Sequence, residues 1–520
     1  MVAKLIRESG IARICRGIYG EYRNSLLFRF MVRVYAALGR FFTAFGRLFT
    51  HSLIIGACFR EAGPDRLWRS SLTYRVVSFV LNLPGLLLHR LYLKYRAKCD
   101  ESVLLGLVFE AGDGAALLES WVILGLWVIP FKYWDNTYHL LGFLAVLALL
   151  YVRTMHRGQR MKLEKTGVFL AMLAAAVLLS VPLSHYPELS QRYLRYHIIC
   201  MVCVYVTVNA PRHTGDLKRM AAASGVVILI SAAWAVVQRF QGVDIVAAYV
   251  DKTLNAGMPG RVQSYFDNPN TYAQVLVMLL PLTVPLMLTS RKPLGKAAAA
   301  VVLAVGVLAL AMTYSRASWI GLAAAALVFL LLWKPGLIPP FLILALLCIP
   351  LLPDTILNRL STIGKATSDS TVTSRFPLYG AGAEVLVRSP IFGAGLGGDA
   401  VKRFIRDRRI YPLIVYYAHL HNLFLEVWVE NGLLGIFGFL GACCCGLRSL
   451  ARRSRRGKDK TVKLFCAASC GSLAGTLLTG MVDFIWAYPR VMCIFWFVFA
   501  FGLAAIRLSG DGAAEEAPQR

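Results

Sequence analysis

The sequence is poor in acidic residues and in charge of either sign. Of its 520 residues only 16% are charged, and 28 acidic and 56 basic side chains give a net charge of +28. Hydrophobic residues make up 57% of the chain, and the mean hydropathy is +0.59. This composition excludes a disordered chain and argues against a soluble enzyme, in which about 25% of residues are charged. Because the basic residues lie between apolar runs, they do not indicate a nucleic-acid-binding protein.

Cysteine is missing from the long polar segment between residues 353 and 420. Most of the 12 cysteines lie inside apolar runs, so a disulfide framework is not indicated. Cys200 and Cys203 have the spacing of a redox or zinc pair, but no second pair follows, and we interpret them as core residues. The motifs of metal and nucleotide sites are also missing, so we predict no metal and no cofactor.

Long apolar runs fill most of the chain and predict an all-α, polytopic membrane bundle. A bilayer core requires about 17–25 apolar residues per spanning helix, and this measure gives about twelve spans. Their approximate extents are 116–131, 138–152, 167–183, 194–210, 220–238, 271–289, 296–313, 317–333, 338–352, 422–447, 461–481 and 486–507. The transmembrane domain therefore covers residues 116–507, with a short tail at 508–520.

The basic residues of the short loops predict the orientation of the bundle. With the amino terminus inside, Lys and Arg concentrate in the inside loops 153–166, 211–219 and 448–460, whereas the short outside loops have far fewer. Cytoplasmic loops carry this excess. We therefore expect a multi-pass protein of the cytoplasmic membrane with both termini in the cytoplasm, and a large extracytoplasmic loop at 353–421.

Residues 1–115 are rich in basic and aromatic side chains, without a clean spanning run. Arg29, Arg33, Arg40 and Arg47 fall within about 40° of one face at about 100° per residue. This pattern predicts a basic amphipathic helix on anionic membrane lipids. The alternative is a spanning helix whose arginines extend to the interface.

The large loop ends in side chains suited to acid–base chemistry. His421 lies where the loop enters a helix, and a neutral imidazole there can accept a proton from a hydroxyl. Asn422, Glu426 and Glu430 are spaced by four and share one helix face, so we predict that they line a wet, substrate-binding cavity. The alternative for this polar stripe is a buried structural hydrogen-bond network.

Three arginines in the predicted outside segments are candidates for binding phosphate. Arg316 lies in a short turn between two spans, Arg375 lies in the large loop, and Arg261 precedes Asn268-Pro269-Asn270, which we expect to cap a helix. Guanidinium suits a diphosphate because its geometry matches phosphate oxygens and it stays charged. The alternative for any one of them is a loop anchor at lipid headgroups.

Two further features have plain structural interpretations. Gly393-x-Gly395-x-x-Gly398 has the spelling of a dinucleotide fingerprint but lacks a strand–helix context, so we expect a turn. Asp483 and Arg490 lie near the last outside turn, where we expect them to form a structural pair.

With these residues the chain resembles the O-antigen ligase and polymerase superfamily, over about residues 255–450. Four patches carry the resemblance, and the most specific is His421-Asn422, nine residues, Gly432, two residues and Gly435. The others are 261–281, 313–321 and 375–398. The family transfers glycans from an undecaprenyl-diphosphate carrier to an acceptor glycan or lipid at the outer face of the cytoplasmic membrane, without metal or nucleotide sugar.

The resemblance implies roles for the candidate residues. His421 is then the base that deprotonates the acceptor hydroxyl, although the nearby His419 leaves the choice of histidine open, and Arg316 and Arg375 hold the diphosphate. The carbohydrate is expected under the large loop, where four tyrosines offer stacking surfaces: Tyr379, Tyr411, Tyr416 and Tyr417. Ligase and polymerase remain equally open, and the alternative class is a transporter or flippase of lipid-linked oligosaccharide.

Overall fold

A computed structural model of the protein describes residues 68–163, 167–243, 259–361 and 370–511, together with Arg29, Arg33 and Arg40. The three isolated arginines are helical and exposed, and the predicted amphipathic helix remains a prediction. Arg47 and the rest of that predicted helix lie outside the described residues. The chain divides into two units, residues 1–64 with 334–351, and residues 65–333 with 352–520.

The described part of the chain is helical and contains no strand, which confirms the all-α membrane-protein class. The helices before residue 260 are α1 Leu72–Lys94, α2 Arg96–Glu101, α3 Val103–Asp113, α4 Ala115–Trp127, α5 Asn136–Arg157, α6 Gly167–Leu179, α7 Pro187–Asn209 and α8 Thr214–Gln241. Next come α9 Pro269–Thr289, α10 Pro293–Met312, α11 Arg316–Trp333, α12 Ile338–Cys348, α13 Asp354–Ser361, α14 Ser370–Thr373, α15 Phe376–Arg388 and α16 Gly398–Asp407. The last are α17 Leu423–Arg456, α18 Lys460–Gly480 and α19 Pro489–Asp511.

Nine of the described helices are long and apolar enough to cross a membrane. The sequence predicted about twelve spans, and the difference arises because α4 and α6 have only 13 residues each and α12 has 11, although the same criteria give a tenth span if the bent helical pair at 335–361 is one span. Helix α7 is long but does not reach the hydropathy of a span. Each of the twelve predicted runs nevertheless coincides with a helix, so the apolar pattern predicted the positions of the helices more accurately than it predicted their lengths.

Helix α1 corrects the expectation that residues 1–115 hold no spanning run. It is 23 residues long, apolar enough to cross a membrane, and packs on α5. The Tyr151 hydroxyl donates to the Leu81 carbonyl at 3.0 Å, and the Asn82 amide exchanges two hydrogen bonds with the Met161 backbone. Basic residues at both ends of this run masked its apolar centre in the sequence.

Helices α9, α18 and α19 form the buried centre of the larger unit. Helix α18 packs tightly on α11, because a Cβ on Gly475 would lie 2.3 Å from the Gly321 carbonyl oxygen and one on Gly471 would lie 2.5 Å from that of Ala325. Small residues of this kind allow close helix packing in membranes. The packing places Arg316, at the start of α11, beside the last turn of α18.

The segment 353–421, predicted as a loop, contains α13 to α16 and has an apolar core of its own. Leu378 of α15, Phe404 of α16 and Ile414 are buried with Val429 of α17. Burying each large apolar side chain contributes about 1.5–3 kcal/mol. The segment is therefore a packed layer over α17, which can hold side chains in fixed positions.

Arginines tie helix ends together at the opposite end of the bundle from this layer. Arg153 of α5 donates to the Ala210 carbonyl at 3.0 Å, and Arg507 of α19 donates to that of Val208 at 2.9 Å. Asp113 pairs with Arg212 at 3.0 Å. The basic short loops of the sequence thus gather at one end, as expected if that end faces the cytoplasm.

Candidate functional site

A cavity of about 520 Å³ opens at the end of the bundle that the 353–421 layer covers. It lies where the first turns of α9 and α11 and the segment just before α17 meet the last turn of α18. Its charged and titratable lining residues are Arg261, Arg316, Arg359, Arg375, His421 and Asp483. Three of the four tyrosines expected near carbohydrate also line it: Tyr379, Tyr416 and Tyr417. The three arginines and the histidine singled out in the sequence therefore share one cavity.

Arg261 is held from two sides at the start of α9. It is buried, and its Nε donates to the Thr313 carbonyl at 2.7 Å, while Nη2 donates to the Asn270 side chain. Asn268 accepts from the Asn270 backbone N–H at 2.8 Å and caps α9, as predicted. The cap thus also orients the side chain that contacts Arg261.

Arg359 on α13 was missed in the sequence and is buried at the cavity wall. Its Nε donates to the Tyr314 carbonyl at 3.3 Å. Arg375 immediately precedes α15, and its Nη1 donates to the Val482 carbonyl. Backbone oxygens therefore hold both guanidinium groups in the cavity wall, where they add positive charge to the lining.

His421 is held in a strained backbone conformation. Its φ is 54°, a left-handed value that is uncommon for residues other than glycine and that clusters at functional sites. The Tyr379 hydroxyl donates to the His421 carbonyl at 3.2 Å, and His421 Nδ1 lies 3.0 Å from Asp483 Oδ1. With Nδ1–H donating to the carboxylate, Nε2 carries the free lone pair.

Asp483 is a functional candidate that the sequence interpretation assigned to a structural pair with Arg490. That expectation is wrong, because Arg490 donates to the carbonyls of Ile129 and Tyr265 at 2.6 and 2.8 Å. The Asp483 carboxylate instead accepts hydrogen bonds from the His421 imidazole, from the Phe484 backbone N–H at 2.9 Å and from the Gln274 side-chain amide at 3.1 Å. Burial would raise the pKa of Asp483, but hydrogen bonding and charge from His421, with Arg375, hold it well below its usual range.

The His419 ring packs on the His421 ring. His419 is not among the described residues that line the cavity. Its Nδ1 accepts the His421 backbone N–H at 3.1 Å. Burial, followed by the charges of His421 and Arg375, lowers the pKa of His419 to about 3. His419 is therefore a neutral support for the His421 backbone, and of the two histidines only His421 is among the described cavity-lining residues.

His419, His421 and Asp483 also form the one group among the described residues that has metal-binding geometry, with ligand atoms within 4.8 Å of one another. The surrounding charge opposes a cation, since the described lining holds four arginines and a single carboxylate. Four guanidinium groups in a confined space instead suit a multiply charged anion.

Asn422, Glu426 and Glu430 are not brought to the cavity lining. Asn422 caps α17 by accepting the Leu425 N–H and donates to the Met481 carbonyl at 2.9 Å. Glu426 accepts the Leu420 N–H at 2.8 Å, and Glu430 accepts that of Gly397. The described contacts of this stripe thus match the structural network that was its alternative.

The glycine signature has a conformational origin. Gly432 has a φ of 64° inside α17, and a Cβ there would lie 1.8 Å from the Ile391 carbonyl oxygen, which accepts the Leu433 N–H at 3.1 Å. Residues 393–397 form a non-helical bend, with positive φ at its three glycines, that leads into α16 at Gly398, and its Ala394 N–H donates to the Val429 carbonyl at 2.7 Å. Together they fasten the 353–421 layer to α17.

Comparison with known proteins identifies the central part of the chain. Residues 299–440 match the family model for O-antigen ligase. This confirms the resemblance to the O-antigen ligase and polymerase superfamily, and the matched region contains Arg316, Arg359, Arg375 and His421. Arg261 and Asp483 lie outside it. None of the curated proteins compared with the chain matches it.

Proposed function

We propose that this membrane enzyme, which carries an O-antigen ligase domain, transfers glycan from a lipid-linked diphosphate donor to a hydroxyl acceptor. By the resemblance, the donor carrier is undecaprenyl diphosphate and the acceptor is a glycan or a lipid. The reaction takes place at the outer face of the cytoplasmic membrane, where the basic short loops at the opposite end of the bundle would place the cavity.

The observation that carries the proposal is the shared cavity of four arginines and His421. A glycan-diphosphate-lipid carries about two negative charges, and the departing lipid diphosphate gains a third at neutral pH. Four guanidinium groups and one carboxylate give the cavity lining a net positive charge, which suits the negative charge that develops on the diphosphate. Fixed cations that stabilise a leaving group more than the bound donor lower the activation barrier.

The reaction balances with a single base. His421 Nε2 accepts the proton of the acceptor hydroxyl as that oxygen attacks the anomeric carbon of the donor glycan. The bond between the anomeric carbon and the diphosphate oxygen breaks, and its electron pair leaves with the lipid diphosphate. Arg316 and Arg375, with Arg261 and Arg359, hold that anion.

Asp483 positions His421 for this step. A carboxylate on Nδ1–H fixes the ring tautomer and stabilises the imidazolium that forms when Nε2 takes the proton. Its two oxygens are occupied by His421, Phe484 and Gln274, so the carboxylate is itself fixed in place.

The experiment uses a strain that lacks the protein and makes its surface glycan only when the protein is supplied. His421→Ala and Arg316→Ala are expected to abolish glycan transfer while the variants still insert in the membrane. Arg291→Ala and His213→Gln, at exposed positions near the opposite end, are matched controls that retain transfer. Normal surface glycan in the first two variants refutes the proposal.

The same strain separates transfer from transport. Transfer predicts that lipid-linked glycan accumulates on the outer leaflet when the protein is absent, where an added glycosidase digests it in intact cells. Accumulation of protected glycan on the inner leaflet would favour the transporter alternative.

A further inference from the structure

A second group of guanidinium groups lies outside the cavity lining, on α16, in the two residues that follow it, and on the first turns of α7. These elements are joined by the Tyr193 hydroxyl, which donates to Asp399 at 3.1 Å, and the Tyr186 hydroxyl, which donates to Asp407 at 3.1 Å. We call the group the arginine surface, and its members are Arg192, Arg195, Arg403, Arg406, Arg408 and Arg409. All are exposed except Arg408, which is half-buried.

The charge of this surface is not balanced within it. Segments 184–196 and 398–410 contain seven basic and three acidic residues, a net charge of +4 with neutral histidine. Asp399 is shared by Arg192 and Lys402, and Asp407 is shared by Arg403 and Arg406. Because each aspartate faces two cations, the surface keeps an excess of positive charge.

Aromatic rings orient several of these guanidinium groups. Arg403 lies 5.7 Å from the Tyr186 ring centroid, and Arg195 lies 5.1 Å from that of Tyr196. Arg408 lies 3.6 Å from the Phe404 ring centroid. Stacking on a ring limits the orientations of a guanidinium group, and the planar guanidinium edge matches a carboxylate with two parallel hydrogen bonds.

A short aromatic path joins the arginine surface to the cavity. The Ile410 N–H donates to the Ile405 carbonyl at 3.0 Å, so the chain folds back on α16 as it leaves it. Tyr411 follows, and its ring lies 6.5 Å from that of Tyr417, which lines the cavity. A saccharide chain extending from the cavity would reach the arginine surface over these tyrosines.

We propose that the arginine surface binds an acidic saccharide chain, one that carries carboxylate groups, as it extends from the transfer site. This rests on the proposed function and names the class of glycan it handles. The segments 184–196 and 398–410 expose no large apolar side chain, whereas Leu183, Leu413 and Val415 beside them are exposed, so the test below includes a membrane surface as the competing partner.

The test measures binding without catalysis. The full-length protein is placed in nanodiscs of zwitterionic lipid, and its affinity for a galacturonate octamer is compared with that for maltooctaose, a neutral chain of equal length. The test variant is Arg403→Gln/Arg406→Gln/Arg409→Gln. The matched control is Arg455→Gln/Arg456→Gln/Lys458→Gln, which removes the same charge from exposed positions at the end of α17.

The galacturonate octamer is expected to bind, with an affinity that falls as salt rises, and the test variant is expected to bind about tenfold more weakly. Maltooctaose should not bind measurably, and the control variant should match the unsubstituted protein. Equal binding by the test variant overturns the proposal, and so does loss of binding when anionic lipid is added to the nanodiscs, which would assign the surface to lipid.

His421→Ala separates this inference from the proposed function. It is expected to bind the octamer normally while transferring no glycan. If His421→Ala binds the octamer normally and also transfers glycan normally, the proposed function is wrong and the acidic-chain site is retained. If His421→Ala loses transfer but the triple arginine variant binds the octamer as well as the unsubstituted protein does, the acidic-chain site is wrong and the proposed function is retained.

Discussion

His421 Nδ1 and Asp483 Oδ1 lie 3.0 Å apart, although the two residues are 62 positions apart in the chain. The contact joins the start of α17 to the segment after α18 across the mouth of the cavity. The contact fixes the tautomer of His421, the proposed base, so that Nδ1 carries the proton and Nε2 is the acceptor.

Asp483→Asn is expected to lower kcat by about 10²–10⁴-fold with little change in KM, because the amide favours the wrong tautomer of His421. Glycan transfer is measured with purified protein, lipid-diphosphate donor and acceptor. Asp354→Asn, at an exposed site on α13, is the control and should keep full activity. A rate for Asp483→Asn within a factor of about two of the control would exclude the positioning role.

Arg359→Ala is expected to weaken transfer by about 10- to 100-fold, since it removes one fixed cation from the diphosphate. Arg359→Lys should recover part of the loss, because charge is kept and the forked geometry is not. The measurement is kcat/KM for the donor at constant acceptor. Arg388→Ala, an exposed arginine of α15, serves for comparison, and equal values for both alanine variants would remove Arg359 from the site.

Metal removal is expected to leave transfer unchanged, because guanidinium groups supply the charge that stabilises the leaving diphosphate. The assay is repeated after dialysis against EDTA and with Mg²⁺, Mn²⁺ or Zn²⁺ added back. Activity that disappears with EDTA and returns with one of these ions would show instead that His419, His421 and Asp483 hold a required metal.

The stability of the protein is expected to fall as the pH drops from about 6.5 toward 3, in part because of His419. Burial and the charges of His421 and Arg375 lower its pKa to about 3 in the folded protein, whereas an unfolded histidine has a pKa of about 6.5. The unfolded chain takes up the His419 proton at a higher pH than the folded protein does. The free energy of unfolding is therefore unaffected by His419 above about pH 6.5, and below that pH it falls by at most about 1.4 kcal/mol per pH unit.

The pH dependence is tested by the melting temperature in detergent across this range. His419→Gln should show a shallower decline than the unsubstituted protein, and His213→Gln, with a mostly exposed side chain, should not. Parallel curves for all three proteins would mean that His419 does not contribute.

Gly432→Ala is expected to destabilise the protein by more than about 1 kcal/mol, because the position combines a left-handed φ with contact to the Ile391 carbonyl. Gly106→Ala in α3 is the control, since a Cβ there meets nothing within 4 Å. Thermal unfolding in detergent compares the two. Equal melting temperatures would show that α17 adapts without cost and that the glycine serves another purpose.

The sequence predicted the helical membrane class because bilayer burial imposes long apolar runs, which are visible locally. It overestimated the number of spans because α4 and α6 are apolar but end after 13 residues. It missed α1 because the flanking basic residues hid its apolar centre.

The site was predictable only where local spacing carries information. Arg261, Arg316, Arg375 and His421 stood out by their position at predicted span ends, and they line one cavity. Asp483 was assigned to Arg490 because proximity in sequence was the available signal, and Arg359 belonged to no motif. Glu426 and Glu430 showed a polar stripe whose partners, the backbones of Leu420 and Gly397, become visible only when the 353–421 layer folds onto α17.

The most direct test of the account is an experimental structure of the full-length protein with undecaprenyl diphosphate bound, determined by cryo-electron microscopy in a nanodisc. We expect the two phosphates to lie in the cavity, within hydrogen-bonding distance of the Arg316 and Arg375 guanidinium groups and beside His421 Nε2. A diphosphate bound elsewhere on the protein, with this cavity free of it, would contradict the central claim.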